Sequence, residues 1–248
     1  MSHRRFKVER QCMEGRQAFI RNRDEMRHIS RVLRLGVGDG VVLFDGEGKE
    51  YRAVIHGMTP DRISFLIESE KSAALRESPL RILLAVALLK SPRFDWLLQK
   101  TTELGVAEII PFRSSRVVPR LEKKGAEEKH RRWQKIAAEA SKQCGRTSVP
   151  KVHSLHSFEE VLSLEFPTAA RIFFWEAEKT GNLRDSLEAS TTSVFALVGP
   201  EGGFSDEEAK MALEAGFRPV RMGPRILRAE TAAVVATGLM QYVCGDLG

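Results

Sequence analysis

The sequence predicts a two-part protein, a small β-rich domain followed by a larger α/β domain built on a parallel sheet. Residues 80–89 and 194–198 are nearly unbroken apolar runs, as strands covered on both faces require, and helical patterns separate them from other strand-like runs. Residues 1–70 instead hold several short strand-like runs punctuated by turn residues. Between the two, 71–79 is polar and without period, which reads as a linker and gives expected domains at 1–72 and 79–248.

In the first domain, Phe6-Lys7-Val8 and Phe19-Ile20 read as short strands. Residues 24–35 form an amphipathic helix pattern with Met26, Ile29, Val32 and Leu33 on one face. Arg27, Arg31 and Arg34 share the other face, where their guanidinium groups form a ridge that suits either RNA contact or simple solvation. Strands at 41–45 and 51–55 flank the loop Gly46-Glu47-Gly48-Lys49, and 63–67 adds another. Short strands in such number imply a small barrel.

The second domain opens with the strand at 80–89. Ser91-Pro92 then starts a helix, serine as cap and proline at the first position, and Gly105 stops it after Leu104. The strand 106–112 completes a β-α-β unit, which implies parallel strands joined by right-handed crossovers. Arg113-Ser114-Ser115-Arg116 comes next at that strand's carboxyl end, where α/β proteins keep their functional loops. A helix over 125–142 carries Trp133, Ile136, Ala137 and Ala140 at core spacing. Another is capped by Ser157 with Glu160, and 171–175 reads as a strand whose aromatics are mainly core while its end faces the same crevice as Gly199.

Composition excludes several classes. No apolar stretch approaches the ~20 residues of a membrane helix, and the amino terminus lacks a signal peptide's apolar core, so a cytoplasmic protein with no membrane partner is expected. Cys12, Cys144 and Cys244 are far apart and odd in number, and no histidine joins them at ligand spacing; no metal is expected. Net charge is +6 at pH 7, distributed unevenly. Residues 1–35 hold ten Lys/Arg against four Asp/Glu, and 113–151 hold twelve against four, whereas 152–248 hold eight against fourteen. Two basic blocks beside an acidic third favour a polyanion partner such as RNA.

The stretch 193–231 organises the rest. The run Val194-Phe195-Ala196-Leu197-Val198 breaks into Gly199-Pro200-Glu201-Gly202-Gly203, and Ser205 with Glu208 forms a capping box that starts a helix. After Gly216, a short strand over 219–222 runs into a second loop, Gly223-Pro224-Arg225-Ile226-Leu227-Arg228, and a last apolar helix. Two glycine-bearing loops at adjacent strand ends describe a ligand crevice. The first loop carries no Lys-Ser/Thr, so it is not a P-loop, and its glycine spacing is not that of a dinucleotide site.

The pair 197–205 and 222–232 resembles the double signature of the RsmE family, SPOUT-class methyltransferases that act on N3 of a uridine in small-subunit (16S) ribosomal RNA. Lys90, Arg93, Asp95, Lys100 and Glu103 resemble a second family stretch, and Gln143, Arg146 and Pro150 a third, so the likeness spans nearly the whole chain. The resemblance implies a PUA-like barrel, a parallel-sheet SPOUT domain with a carboxy-terminal trefoil knot, and a homodimer joined through the knotted regions. It implies S-adenosyl-L-methionine as cofactor, S-adenosylhomocysteine as product, and small-subunit rRNA or the assembled small ribosomal subunit as partner.

On that basis Leu197, Val198, Gly199, Pro200, Gly202, Met222, Gly223, Ile226, Leu227, Thr231 and Ala232 are expected to hold the cofactor, with Leu197, Ile226 and Leu227 sandwiching the adenine. Arg228 suits stabilisation of charge on the uracil oxygens. Glu201 or Glu230 suits proton removal, though each also suits a helix amino terminus. Arg4, Arg5, Arg27, Arg31, Arg34, Lys90, Arg93, Arg113, Arg116, Gln143 and Arg146 are the expected RNA contacts. Two rival readings stand beside this one: a catalytically idle RNA-binding assembly factor, and a related enzyme acting on tRNA.

Overall fold

The structure is a computed structural model and describes residues 4–72, 77–116, 123–188 and 190–248. It divides into two compact units, Met1–Glu77 with Ser141–Val149, and Ser78–Ala140 with Pro150–Gly248. Part of the expected linker, 73–76, lies outside the described residues.

The first unit is a six-stranded mixed sheet: β1 (Arg5–Lys7), β2 (Met13–Glu14), β3 (Gln17–Ile20), β4 (Gly40–Phe44), β5 (Lys49–Met58) and β6 (Ile63–Ser72). Its order is β1-β4-β5-β6-β3-β2, with β1 parallel to β4 and every other pair antiparallel. Alternation drives one face inward: Leu43, Ala53, Ile55, Ile63 and Phe65 pack with Phe6 and Ile29 in one apolar cluster.

The expected helix over 24–35 is shorter. α1 (Arg23–Arg27) is capped by the Asn22 side chain, which accepts from the Asp24 and Glu25 amides, and then opens into a π-helical turn over His28–Val32. Each π turn inserts an extra residue and rotates the side chains beyond it. Ile29 therefore stays buried, whereas Val32, expected on the same face, is 66% exposed. Arg27, Arg31 and Arg34 remain exposed, as does Arg4.

Two expected RNA contacts are corrected here. Arg5 is buried, donating to Glu50 Oε2 at 2.6 Å and to the Arg146 carbonyl at 2.8 Å. Arg146 is buried too, and its guanidinium meets Glu77 Oε2 at 2.9–3.0 Å. Glu77 Oε1 accepts from the Thr147 and Ser148 amides. These bonds explain why 141–149, assigned by sequence to the second domain, belongs to the first unit. Charged residues that read as surface cations are interior ties.

The second unit is a parallel sheet of β7 (Arg81–Ala87), β8 (Glu108–Arg113), β9 (Lys151–Val152), β10 (His156–Ser157), β11 (Ala170–Phe174), β12 (Ser193–Val198) and β13 (Arg218–Val220). The order is β10-β8-β7-β12-β11-β13, with β9 paired to β8. The helices are α2 (Ser91–Glu103), α3 (Lys123–Cys144, whose last residues lie in the first unit), α4 (Phe158–Leu162), α5 (Leu183–Ser186), α6 (Asp206–Glu214) and α7 (Ala229–Cys244). α2 begins one residue early, with Lys90 rather than Ser91 in the cap position. β12 is buried along its whole length, which is why its residues 194–198 are unbroken apolar. Phe112, Phe158, Phe173, Phe195, Phe204 and Phe217 fill one core. α7 packs on α2, and its buried Gln241 donates to the Leu104 carbonyl and accepts from Ser78. Among the described residues no helix is long and apolar enough to cross a membrane.

Breaking a buried ion pair leaves an uncompensated charge and costs about 3–5 kcal/mol. Arg5→Ala is therefore expected to lower the melting temperature sharply, whereas Arg31→Ala leaves it unchanged; thermal unfolding of the two variants checks this.

Candidate active site

The position of β11 between β12 and β13 builds a crevice. Phe174 is level with Val198 on one side and Val220 on the other, so the chain leaves three adjacent strands at one height. The segments after them, 175–182, 199–205 and 221–228, rise around a cavity of about 260 Å³. Trp175 donates its amide to the Val220 carbonyl at 3.0 Å, and Arg221 donates its own to the Gly181 carbonyl at 2.9 Å, fixing the first loop against the third.

Local chemistry explains the glycine loop after β12. A Cβ on Gly199 would sit 3.0 Å from the Phe204 ring, which belongs to the aromatic core. Gly203 has φ +69°, and a Cβ there would overlap the Glu176 carboxylate. Ser205 and Glu208 form the expected capping box at the start of α6. The buried Glu208 carboxylate also accepts from the Ser115 amide at 2.8 Å and the Ser114 hydroxyl at 3.2 Å, and Arg116 donates to the Gly202 carbonyl. The basic loop after β8 is thereby stitched to the glycine loop after β12. Arg116, expected at RNA, is a strut of the crevice. Arg113 is exposed at the end of β8.

Acidic residues around the crevice fall into distinct settings. Glu178 Oε1 accepts from the amides of Lys179, Thr180 and Gly181 and from the Thr180 hydroxyl. The Gly181 and Thr180 amides, foremost, hold its pKa down to about 2. Glu201 pairs with Arg93 on α2, and Glu230 Oε1 lies 3.8 Å from the Arg93 Nε. Glu230 Oε2 is buried without a hydrogen-bond partner among the described residues. One guanidinium therefore bridges the loop after β12 and the first turn of α7. Arg93, expected to face RNA, and the two carboxylates expected as bases are engaged with one another. Glu176, among the described residues, has neither an amide nest nor a cation of its own.

Of the residues expected at the cofactor, Val198, Gly199, Pro200, Gly202, Met222, Gly223, Ile226, Leu227 and Ala232 line the crevice. Leu197 does not: its side chain is fully buried in the core beneath, so it cannot sandwich a ring. Thr231 and Arg228 stand beside the lining without joining it. Arg228 is exposed at the cap of α7, and its side chain caps nothing. Lys90 is exposed at the start of α2, and Gln143 is exposed in the other compact unit. Sequence reasoning missed Trp175, Glu176, Arg221 and Arg225, all of which line the crevice. The signal available was the end of the 171–175 run, beside the first glycine loop.

A larger cavity, about 730 Å³, opens at the amino ends of the same strands, near Ala170 and Arg218. Ligands of open α/β sheets bind outside the carboxyl ends, where glycine loops and helix amino termini present free backbone donors. The smaller crevice has both features.

Comparison with known proteins shows the family. Residues 76–241 match the model of an RNA methyltransferase domain, and 20–68 that of an RNA methyltransferase PUA domain. The Ribosomal RNA small subunit methyltransferase E of Bacillus subtilis is 32% identical over 241 residues, 95% of this chain and 94% of that protein. The chain belongs to the RsmE family of RNA methyltransferases. Among solved RsmE structures, that from Neisseria gonorrhoeae, bound to S-adenosyl methionine, superposes with a TM-score of 0.89 at 33% identity, covering 98% of this chain and 99% of that one. A putative methyltransferase from Legionella pneumophila, in complex with the cofactor SAM, gives 0.90 at 32% identity, with 100% of both chains covered. The RsmE crevice of this chain fits such a group. Apolar Met222, Ile226 and Leu227 offer surfaces for a ring, and the glycines let main-chain groups approach closely.

Two outcomes are expected. Arg93→Ala releases the tie between the β12 loop and α7, so amide hydrogen exchange at 199–205 and 229–231 accelerates several-fold while the first unit is unaffected. For Glu178, the depressed pKa means the loop's extra stability is complete above about pH 4.5 and is lost as pH falls toward about 2; an NMR titration of its carboxyl carbon checks this window.

Proposed function

We propose that this chain transfers a methyl group from S-adenosyl-L-methionine to N3 of a uridine in small-subunit rRNA, releasing S-adenosylhomocysteine. The observation that carries the reading is the pair of glycine-bearing loops after β12 and β13, the two strands that flank β11, in a chain of the RsmE family. When bound, the cofactor supplies a methyl group already activated by the sulfonium.

The protein's work is then positioning and charge. Ile226 is 84% exposed beside Met222 and Leu227, an apolar edge suited to a ring. Uridine N3 must shed its proton to attack, and negative charge then develops on the neighbouring oxygens. Arg228, an exposed guanidinium without a hydrogen-bond partner among the described residues, sits one residue past Leu227 and is placed to stabilise that charge. Glu201 and Glu230 face Arg93 and serve first to join the two loops.

Further readings belong with this one. The PUA-like unit meets RNA through the exposed Arg27, Arg31 and Arg34, with Arg4 beside Asp39. The last helix threads a knot beneath an earlier loop, a reading that the Arg221 bonds to Gly181 and Lys179 support by binding the segment before that helix against the loop after β11. Two copies pair through α7, where Val235, Leu239 and Tyr242 recur on one exposed apolar face.

The test is methylation of small ribosomal subunits, or free rRNA, from cells lacking this protein, read by mass spectrometry. One added methyl on a uridine is expected. Arg228→Ala is expected to lower kcat by about 10²-fold while cofactor affinity stays within about twofold. Full activity in that variant removes Arg228 from the mechanism, and absence of rRNA methylation by the intact protein defeats the reading.

A further inference from the structure

The loop after β11 carries two acids two residues apart, Glu176 and Glu178, with opposite surroundings. Glu178 is saturated by four donors of its own loop. Glu176 lines the crevice and, among the described residues, makes no hydrogen bond or ion pair. Of the neighbouring cations, Arg93 meets Glu201 and Glu230, Arg116 donates to the Gly202 carbonyl and Arg221 to the carbonyls of Gly223 and Lys179, while Arg225 also lines the crevice. The Glu176 backbone is not free to swing away, since Trp175 is bonded to β13 and Phe174 is paired on both sides. Its carboxylate also occupies the space that a side chain at position 203 would fill, so the missing Cβ of Gly203 makes room for it.

A carboxylate held over a glycine loop, and paired with none of these arginines, offers a ligand negative charge at one point of the crevice. The proposed cofactor differs from its product in one positive charge, that of the sulfonium. We propose that Glu176 reads that charge: it is the residue that makes the crevice prefer the sulfonium methyl donor over the neutral thioether product. The inference rests on the methyl-donor reading above. It adds a specificity element to the cofactor side of the crevice, separate from the residues assigned to the uridine. It also gives product release a physical cause, because methyl transfer extinguishes the charge that Glu176 attracts.

The test is isothermal titration of the full chain and of Glu176→Gln with S-adenosylmethionine and, separately, S-adenosylhomocysteine. Glutamine keeps the size and removes the charge, and the side chain is exposed, so the fold tolerates it. Loss of one charge-assisted contact corresponds to about tenfold. The variant is expected to bind S-adenosylmethionine about tenfold more weakly and S-adenosylhomocysteine within about twofold of the unaltered chain. Equal weakening of both ligands would mean that Glu176 touches a group they share, and no weakening of either that it touches neither; each overturns the proposal while leaving the crevice as the cofactor site. If the unaltered chain binds neither ligand, the methyl-donor reading itself fails, and the role of Glu176 with it.

Discussion

Everything at the crevice depends on β11 lying between β12 and β13. The chain leaves β12, forms α6 and returns on the far side of β11, so three consecutive strands in sequence release their loops at one edge. That exchange is a topological switch of the kind that opens ligand crevices in parallel sheets. Burial enforces it. β12 is covered on both faces, and Phe173, Phe195, Phe204 and Phe217 pack across the strands. A slip in strand order would expose this aromatic core, so the energy that fixes the site is hydrophobic and remote from its chemistry.

Charge then organises the rim. Four acids there are consumed by structure: Glu208 joins the β8 loop to α6, Glu178 shapes its own turn, and Glu201 and Glu230 meet Arg93. Fixed carboxylates and guanidiniums hold the loops without filling the space between them. The lining left over is apolar or glycine, with Glu176, Arg221 and Arg225 as its charged members apart from Glu201. A crevice of this composition binds an uncharged ring flatly and reads charge at few points.

The site was largely legible in the sequence because its loops announce themselves: glycines that side chains cannot replace, placed after a wholly apolar strand. Nine of the expected cofactor residues line the crevice. The Leu197 side chain lies in the core for the reason that made its strand recognisable, since residues within a strand covered on both faces meet core on either side. The charged residues were less legible. Arg5, Arg93, Arg116 and Arg146 look like surface cations in a basic chain, yet each finds a carboxylate or carbonyl far away in sequence. Such pairings depend on tertiary distances that periodicity does not encode. The π turn after α1 was hidden for a similar reason, because one inserted residue rotates Val32 outward without altering composition. Segment 141–149 is tied to the first unit by Glu77, a single acid in a stretch that read as a linker.

The most direct measurement of the central claim is hydrogen–deuterium exchange of the full chain with and without S-adenosylmethionine. Protection confined to 174–176, 198–203 and 221–232 is the result this account predicts. Protection at 165–171 and 185–188, around the larger cavity at the opposite ends of the strands, or no protection at saturating ligand, would contradict it.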